Sequence, residues 1–143
     1  MPSRDYLIRQ IEEMGLFLAI LLRRILKMKE ENQQEQMESA VQEALTGELN
    51  IDIGQIIVLE NDEFLSLIKE HISSEDQLDK LADILRVLGL EIEHSFTLTK
   101  ANYLRKSLLI FNHLQSSSPN FSYERRIKIK EIQELMVRKE LGI

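Results

Sequence analysis

The residues best suited to metal or acid–base chemistry are the three histidines His71, His94 and His113. Glu91 and His94 have the Glu-x-x-His spacing that, on a helix, places a carboxylate and an imidazole on one face. Di-iron helical bundles use two such motifs together with two further glutamates. The motif occurs once here, because Ile110 stands three residues before His113. We therefore expect no metal site.

Other residue patterns of enzymes and cofactor-binding proteins are missing as well. The chain contains no cysteine, which excludes a thiolate metal site, a cysteine nucleophile and a disulfide framework. Its five glycines stand singly, without the glycine-rich loop that binds phosphate. The serines at 116–118 are typical of a loop, and no elbow motif frames any serine. We expect a protein that is not an enzyme and binds no cofactor.

The length of 143 residues, with 43% hydrophobic and 29% charged residues, indicates one globular domain. A net charge of -6 argues against a general nucleic-acid binder. The apolar run at 16–22 is much shorter than the roughly 20 residues of a membrane-spanning helix. Acidic residues before the run and two arginines after it do not fit a signal peptide. We expect a cytoplasmic protein.

Helical periodicity dominates the pattern of apolar residues along the chain. We predict an all-α fold in which residues 1–143 form a single-domain bundle of six to seven helices. Residues 1–72 should form the N-terminal helical half, built on a long first helix. Residues 73–143 should form a helical hairpin followed by a closing helix.

Capping residues predict where these helices begin and end. The first helix should start after Ser3 and run to about Glu31, and the second should stop near Gly47. A short buried helix is predicted over residues 52–59. The three helices of the second half are predicted to be capped by Ser74, Thr99 and Ser122.

The first helix is apolar on more than one face. Apolar residues recur at alternating spacings of four and three between positions 7 and 28, and further apolar residues widen this seam. A helix that is apolar nearly all round must be buried on two sides. Either the later helices wrap it or a second copy of the chain covers one face. The candidate interface residues are Phe17, Ile20, Leu21 and Ile25.

The charges are unevenly distributed along the chain. Residues 37–98 contain three basic and fourteen acidic side chains, a net charge of -11, whereas residues 99–143 have a net charge of +5. These segments can complement each other within the fold or between two copies. In the other interpretation, the basic side chains of the last helix contact nucleic-acid phosphates. Those side chains are Arg125, Arg126, Lys128 and Lys130, with Phe121 and Tyr123 nearby as stacking partners.

Residues 77–114 resemble one tetratricopeptide-type hairpin. Leu88 and Gly89, followed by Ile92, resemble the repeat's Leu-Gly pair and its next large residue, and the glycine should let the paired helix approach closely. Ala101 stands where the second helix needs another small residue. The sequence ANYLRKSL at 101–108 resembles that second helix, although no helix-ending proline closes the unit.

A second resemblance rests on the sequence DYLIRQIE at residues 5–12 and on FSYER at residues 121–125. Both are similar to a small, uncharacterised bacterial family that joins such an N-terminal helix to a tetratricopeptide-like hairpin. The resemblance implies this architecture and a bacterial setting, and it implies no activity.

These patterns predict a non-enzymatic module for protein–protein interaction or self-association, whose partner is another protein or a second copy. No small-molecule substrate and no nucleic-acid partner are indicated. The alternative is a peripheral membrane-surface protein whose first helix lies in the lipid interface. Its headgroup contacts would be Arg23, Arg24, Lys27 and Lys29. A weaker alternative is nucleic-acid binding through the basic C-terminal helix.

Overall fold

A computed structural model describes residues 3–72 and 74–140, and in these ranges the chain forms seven α-helices and no β-strand. The predicted all-α fold is confirmed. The helices are α1 (Arg4–Glu30), α2 (Gln34–Leu49), α3 (Ile53–Ile56), α4 (Asn61–His71), α5 (Glu75–Glu91), α6 (Leu98–Ser117) and α7 (Tyr123–Glu140).

Three serines cap helices where the sequence predicted them. The hydroxyl oxygens of Ser3, Ser74 and Ser122 each accept a hydrogen bond from the backbone N–H three residues later, at 3.1–3.2 Å. Each bond satisfies an N–H that has no partner within its own helix. The serines therefore determine where α1, α5 and α7 begin.

The end of α2 differs from the prediction. Gly47 is helical, and α2 continues to Leu49 before it ends at Asn50. Asn50 has a φ of 54°, the left-handed conformation that asparagine tolerates better than most residues. The left-handed cap is therefore an asparagine three residues after the glycine expected in that role.

The start of α6 also differs from the prediction. Thr97 rather than Thr99 caps this helix, and its hydroxyl oxygen accepts a hydrogen bond from the Lys100 N–H at 3.3 Å. Thr99 lies in the first turn. The short helix predicted over residues 52–59 is present as a single turn, Ile53–Ile56, with Asp52 as its cap.

Helix α5 lies at the centre of the bundle. It packs against α6 and α1, α7 packs on α6, and α2 contacts both α1 and α5. Its buried apolar side chains cover more than half of the helix circumference, as expected for a helix with neighbours on several sides. They are Leu78, Leu81, Ala82, Ile84, Leu85, Val87 and Leu88.

Helices α5 and α6 run antiparallel as a hairpin. The Lys100 ammonium donates to the Leu90 carbonyl at 3.0 Å, near the connection between the helices. Further along, the buried Ser107 hydroxyl donates to the Ala82 carbonyl at 2.6 Å. Because residue numbers rise along one helix as they fall along the other, the predicted hairpin geometry is confirmed.

Gly89 is the point of closest approach within this hairpin. A Cβ atom at position 89 would lie 2.6 Å from Leu104 Cγ and Cδ2, and 3.2 Å from the Leu104 backbone nitrogen. Carbon atoms in contact are normally about 3.5–4.0 Å apart. The close approach predicted at this glycine is therefore confirmed, and the position has no room for a side chain.

Substitution of this glycine tests the close approach. We expect Gly89→Ala to lower the free energy of unfolding by about 1–3 kcal/mol, because the added methyl group forces α5 and α6 apart. Urea denaturation followed by circular dichroism measures the change. In the control, Gly47→Ala, the new Cβ meets no atom within 4 Å. That change should stabilise α2 by about 0.5–1 kcal/mol, and equal effects at both positions would contradict the packing described.

Candidate functional site

The four residues predicted as an interface do not lie on a single surface. Leu21 is 3% exposed and Ile25 is fully buried, and both belong to the protein's own core. Phe17 is partly buried and packs against that core. Ile20 is 53% exposed, because a helix turns about 100° per residue and position 20 points away from its buried neighbours. Leu21 and Ile25 are therefore corrected to core residues.

The solvent side of α1 carries an apolar pair between two pairs of charges. Leu16 and Ile20 are 61% and 53% exposed and stand one turn apart. The two residues one turn before them are acidic, the two one turn after them are arginines, and all four charged side chains are exposed. Helical geometry places all six on one side. We call them the outer face of α1: Glu12, Glu13, Leu16, Ile20, Arg23 and Arg24.

The opposite side of α1 is covered by the rest of the bundle. Leu18, Leu21, Ile25 and Met28 are buried there, where α1 packs against α5 and α2. Among the described residues, no salt bridge involves the four charged side chains of the outer face. The later helices therefore cover one side of α1 and leave its outer face to solvent.

The first turns of α1 extend past the packed part of the bundle, and every residue from 3 to 13 is exposed. Leu7 and Ile11 continue the buried seam of α1 but are 46% and 50% exposed. The apolar seam of α1 has no helix packed against it at Leu7 and Ile11, because α5 begins only at Glu75. Contact is made by Gln77, whose side-chain amide donates to the Ile11 carbonyl at 2.8 Å. The part of the seam predicted before Met14 is thus open.

The basic residues of α7 face the acidic residues of α5. Arg125 is 4% exposed and donates to both carboxylate oxygens of Asp79, and its Nη2 lies 3.0 Å from Glu75 Oε1. Lys128 Nζ lies 2.7 Å from Asp83 Oδ2. The hydrogen bond to Asp79 contributes most to raising the pKa of Arg125 above its ordinary value. The two oppositely charged segments therefore complement each other within the fold.

This pairing occupies two of the four basic side chains considered for nucleic-acid binding. Arg126 and Lys130 are exposed. Phe121 and Tyr123 are exposed as well, and their rings contact each other edge to face with centroids 5.2 Å apart. Arg126 lies 6.0 Å from the centroid of Phe121. The surface available to a phosphate backbone is therefore smaller than the sequence indicated.

The histidines are dispersed in the structure. Helix α5 ends at Glu91, and His94 lies beyond it in the connection to α6, so the Glu-x-x-His motif is not helical. Across residues 3–72 and 74–140, no three His, Asp or Glu side chains are grouped so that they could hold a metal ion. Burial, assisted by the nearby charge of Lys69, lowers the pKa of His113.

Two buried lysines on α6 were not singled out from the sequence. Lys100 Nζ donates to the carbonyls of Leu90 and Glu93 at 3.0 and 2.9 Å, next to the end of α5. Lys106 Nζ donates to the Leu59 carbonyl at 2.6 Å. Burial lowers the pKa of both lysines. A lowered lysine pKa often marks a reactive amine, but these ammonium groups are engaged by backbone carbonyls and connect the helices.

No protein-family model, no curated protein and no solved structure matches this chain. The outer face of α1 is the candidate site, because its apolar pair is exposed and its charges are not paired within the described residues.

The contact between Arg125 and the acids of α5 can be tested by mutation. Arg125→Met keeps much of the aliphatic length but leaves Asp79 and Glu75 without their cation. We expect the free energy of unfolding to fall by about 2 kcal/mol. The loss should be no larger than this because the two carboxylates still reach solvent. Thermal and urea unfolding measure the loss. Arg126→Met, at the neighbouring exposed position, should change stability by no more than about 0.5 kcal/mol.

The position of His113 predicts a dependence of stability on pH. The folded protein resists protonation of His113, whereas the unfolded chain protonates it near the usual histidine pKa of about 6.5. The contribution of neutral His113 to stability is therefore fully present above that value. It is lost as the pH falls towards the lower pKa of the folded state. His113→Gln should reduce the slope of unfolding free energy against pH between about 7 and 5. A slope in His113→Gln equal to that of the wild type would contradict the assignment.

Proposed function

We propose that the protein is a non-enzymatic self-association module whose contact surface is the outer face of α1. The observation that carries this proposal is the exposed pair Leu16 and Ile20, set between two acids and two arginines. Burying a side chain of this size contributes about 1.5–3 kcal/mol. Charges around an apolar centre are typical of the rim of a protein–protein interface.

The satisfied interior supports a binding role over a catalytic one. In the part of the chain that the structure describes, every buried side-chain nitrogen and oxygen atom has a hydrogen-bond partner. Catalytic sites usually hold polar groups that await a substrate, often with a shifted pKa. The buried lysines with a lowered pKa, Lys100 and Lys106, are already bonded to backbone carbonyls.

The membrane-surface alternative has less support from the geometry of α1. A helix in a lipid interface buries a broad apolar face, but the buried residues of α1 face the protein core. The outer face offers Leu16 and Ile20 to a lipid surface, and Glu12 and Glu13 beside them would be repelled by anionic headgroups. None of the described helices has the length and apolar character needed to cross a membrane.

The second half of the chain provides the support for α1 in this proposal. The close contact of Gly89 with Leu104 favours a tetratricopeptide-like hairpin over residues 77–114. That hairpin presents α5, against which the inner side of α1 packs. The bacterial cytoplasmic setting is also part of the proposal and agrees with a chain that contains no cysteine.

The proposal is tested by the mass of the protein in solution. Light scattering from micromolar to millimolar concentration should show the wild-type mass rising from 16.7 kDa towards twice that value. The double variant Leu16→Asp with Ile20→Asp should stay monomeric and keep its helical circular dichroism, because both side chains are exposed in the free chain.

The matched control is Leu26→Asp, which changes an exposed leucine of α1 outside the outer face. This variant should associate like the wild type. A wild-type protein that remains monomeric throughout would contradict the proposal. A monomer that sediments with anionic vesicles would replace it with the membrane-surface function.

A further inference from the structure

We propose that two copies of the chain pair through the outer faces of their α1 helices in an antiparallel arrangement. Glu12 and Glu13 of one copy then lie opposite Arg23 and Arg24 of the second copy. This inference rests on the proposed self-association and adds the partner's orientation, its register and the charge pairs that select them.

The order of residues along the outer face favours the antiparallel direction. From the N-terminal end, the face presents two acids, then the apolar pair, then two arginines. A second copy that runs the opposite way brings its arginines to the acids and its apolar pair to the apolar pair. A parallel copy would place acids against acids and arginines against arginines, which is unfavourable. Charge complementarity therefore identifies a second, reversed copy as the occupant of this face.

The same residues also determine the register. Leu16 of one copy comes opposite Ile20 of the other when the two-fold axis passes at the level of Leu18. At that level Glu12 and Glu13 are as far before the axis as Arg24 and Arg23 are after it. The axis lies within one residue of the middle of the 27-residue helix. The two helices, each about 40 Å long, therefore overlap over nearly their whole length.

Two pairings in this register are unfavourable. Arg9 and Lys27 are both exposed on the same side of α1, and each comes opposite the other in the second copy. Asp5 likewise comes opposite Glu31, and both are exposed. They lie at the outer ends of the contact, so their repulsion weakens the dimer without opposing the charge pairs nearer its centre. Because the central pairs join exposed charges of opposite sign, we expect a reversible dimer that weakens when salt rises from about 0.05 to 0.5 M. Lys27→Glu should strengthen it, because this change places a glutamate opposite Arg9.

Charge reversal tests the pairs. We compare the variant Arg23→Glu with Arg24→Glu and the variant Glu12→Arg with Glu13→Arg. Each places like charges opposite each other in its own dimer, so its dissociation constant should rise roughly tenfold or more. An equimolar mixture restores opposite charges and should form a heterodimer close to wild-type affinity. Sedimentation equilibrium measures both results, and circular dichroism verifies that each variant is folded.

Cysteine cross-linking tests the direction on a chain that has no native cysteine. With a short bismaleimide, Arg9→Cys and Lys27→Cys should cross-link in a mixture of the two variants but not in either variant alone. A parallel pair would cross-link within each variant alone and would overturn the inference. Asn112→Cys, exposed on α6, is the control and should not cross-link.

The outcomes separate this inference from the proposed function. If the wild type associates and Leu16→Asp with Ile20→Asp abolishes association, the proposed function holds. If charge reversal then leaves the dissociation constant unchanged, or the mixed cysteine variants fail to cross-link, the antiparallel register is wrong. If the wild type never associates, both fail together.

Discussion

The burial of α5 is the constraint from which the arrangement of the other helices follows. Because its buried apolar side chains cover more than half of its circumference, α5 needs helices on several sides. Helix α6 packs close to it at Gly89, α1 covers another side, and α7 reaches it through Arg125 and Lys128. Helices α6 and α1 also pack against α7 and α2, so that only their remaining sides face solvent.

Helix α1 shows what this arrangement leaves uncovered. One side of α1 packs against α5 and α2. The remaining side exposes Leu16 and Ile20 between charges of opposite sign. The four charged side chains of this surface make no salt bridge among the described residues, and its apolar pair is exposed. Its polar and charged neighbours keep the apolar pair small, which suits association that is reversible and sensitive to salt.

Local features of the fold could be predicted from the sequence. The choice between two residues that are equally able to cap a helix could not. The caps at Ser3, Ser74 and Ser122 depend on residues within one turn, and the predictions are confirmed. Thr97 and Thr99 can both cap a helix. The lysine that follows Thr97 by three residues is held against the carbonyls at the end of α5, and that tertiary contact accompanies the earlier start.

The candidate site was harder to predict for a similar reason. On a helix that is apolar nearly all round, the pattern does not show which side the later helices will cover, so Leu21 and Ile25 could not be separated from Ile20. The order of acids, apolar pair and arginines along α1 was visible in the sequence. This order indicates an interaction surface only when the structure shows that these residues share an uncovered side of the helix.

The exposed first turns of α1 have a consequence for the motions of the protein. A helical segment of about three turns is marginal in water unless another element packs against it. Beyond the contact between Gln77 and the Ile11 carbonyl, the segment before Met14 depends chiefly on its own backbone hydrogen bonds. Its amide hydrogens should therefore exchange with solvent through local fraying, long before those of α5, which become accessible only when the whole bundle opens.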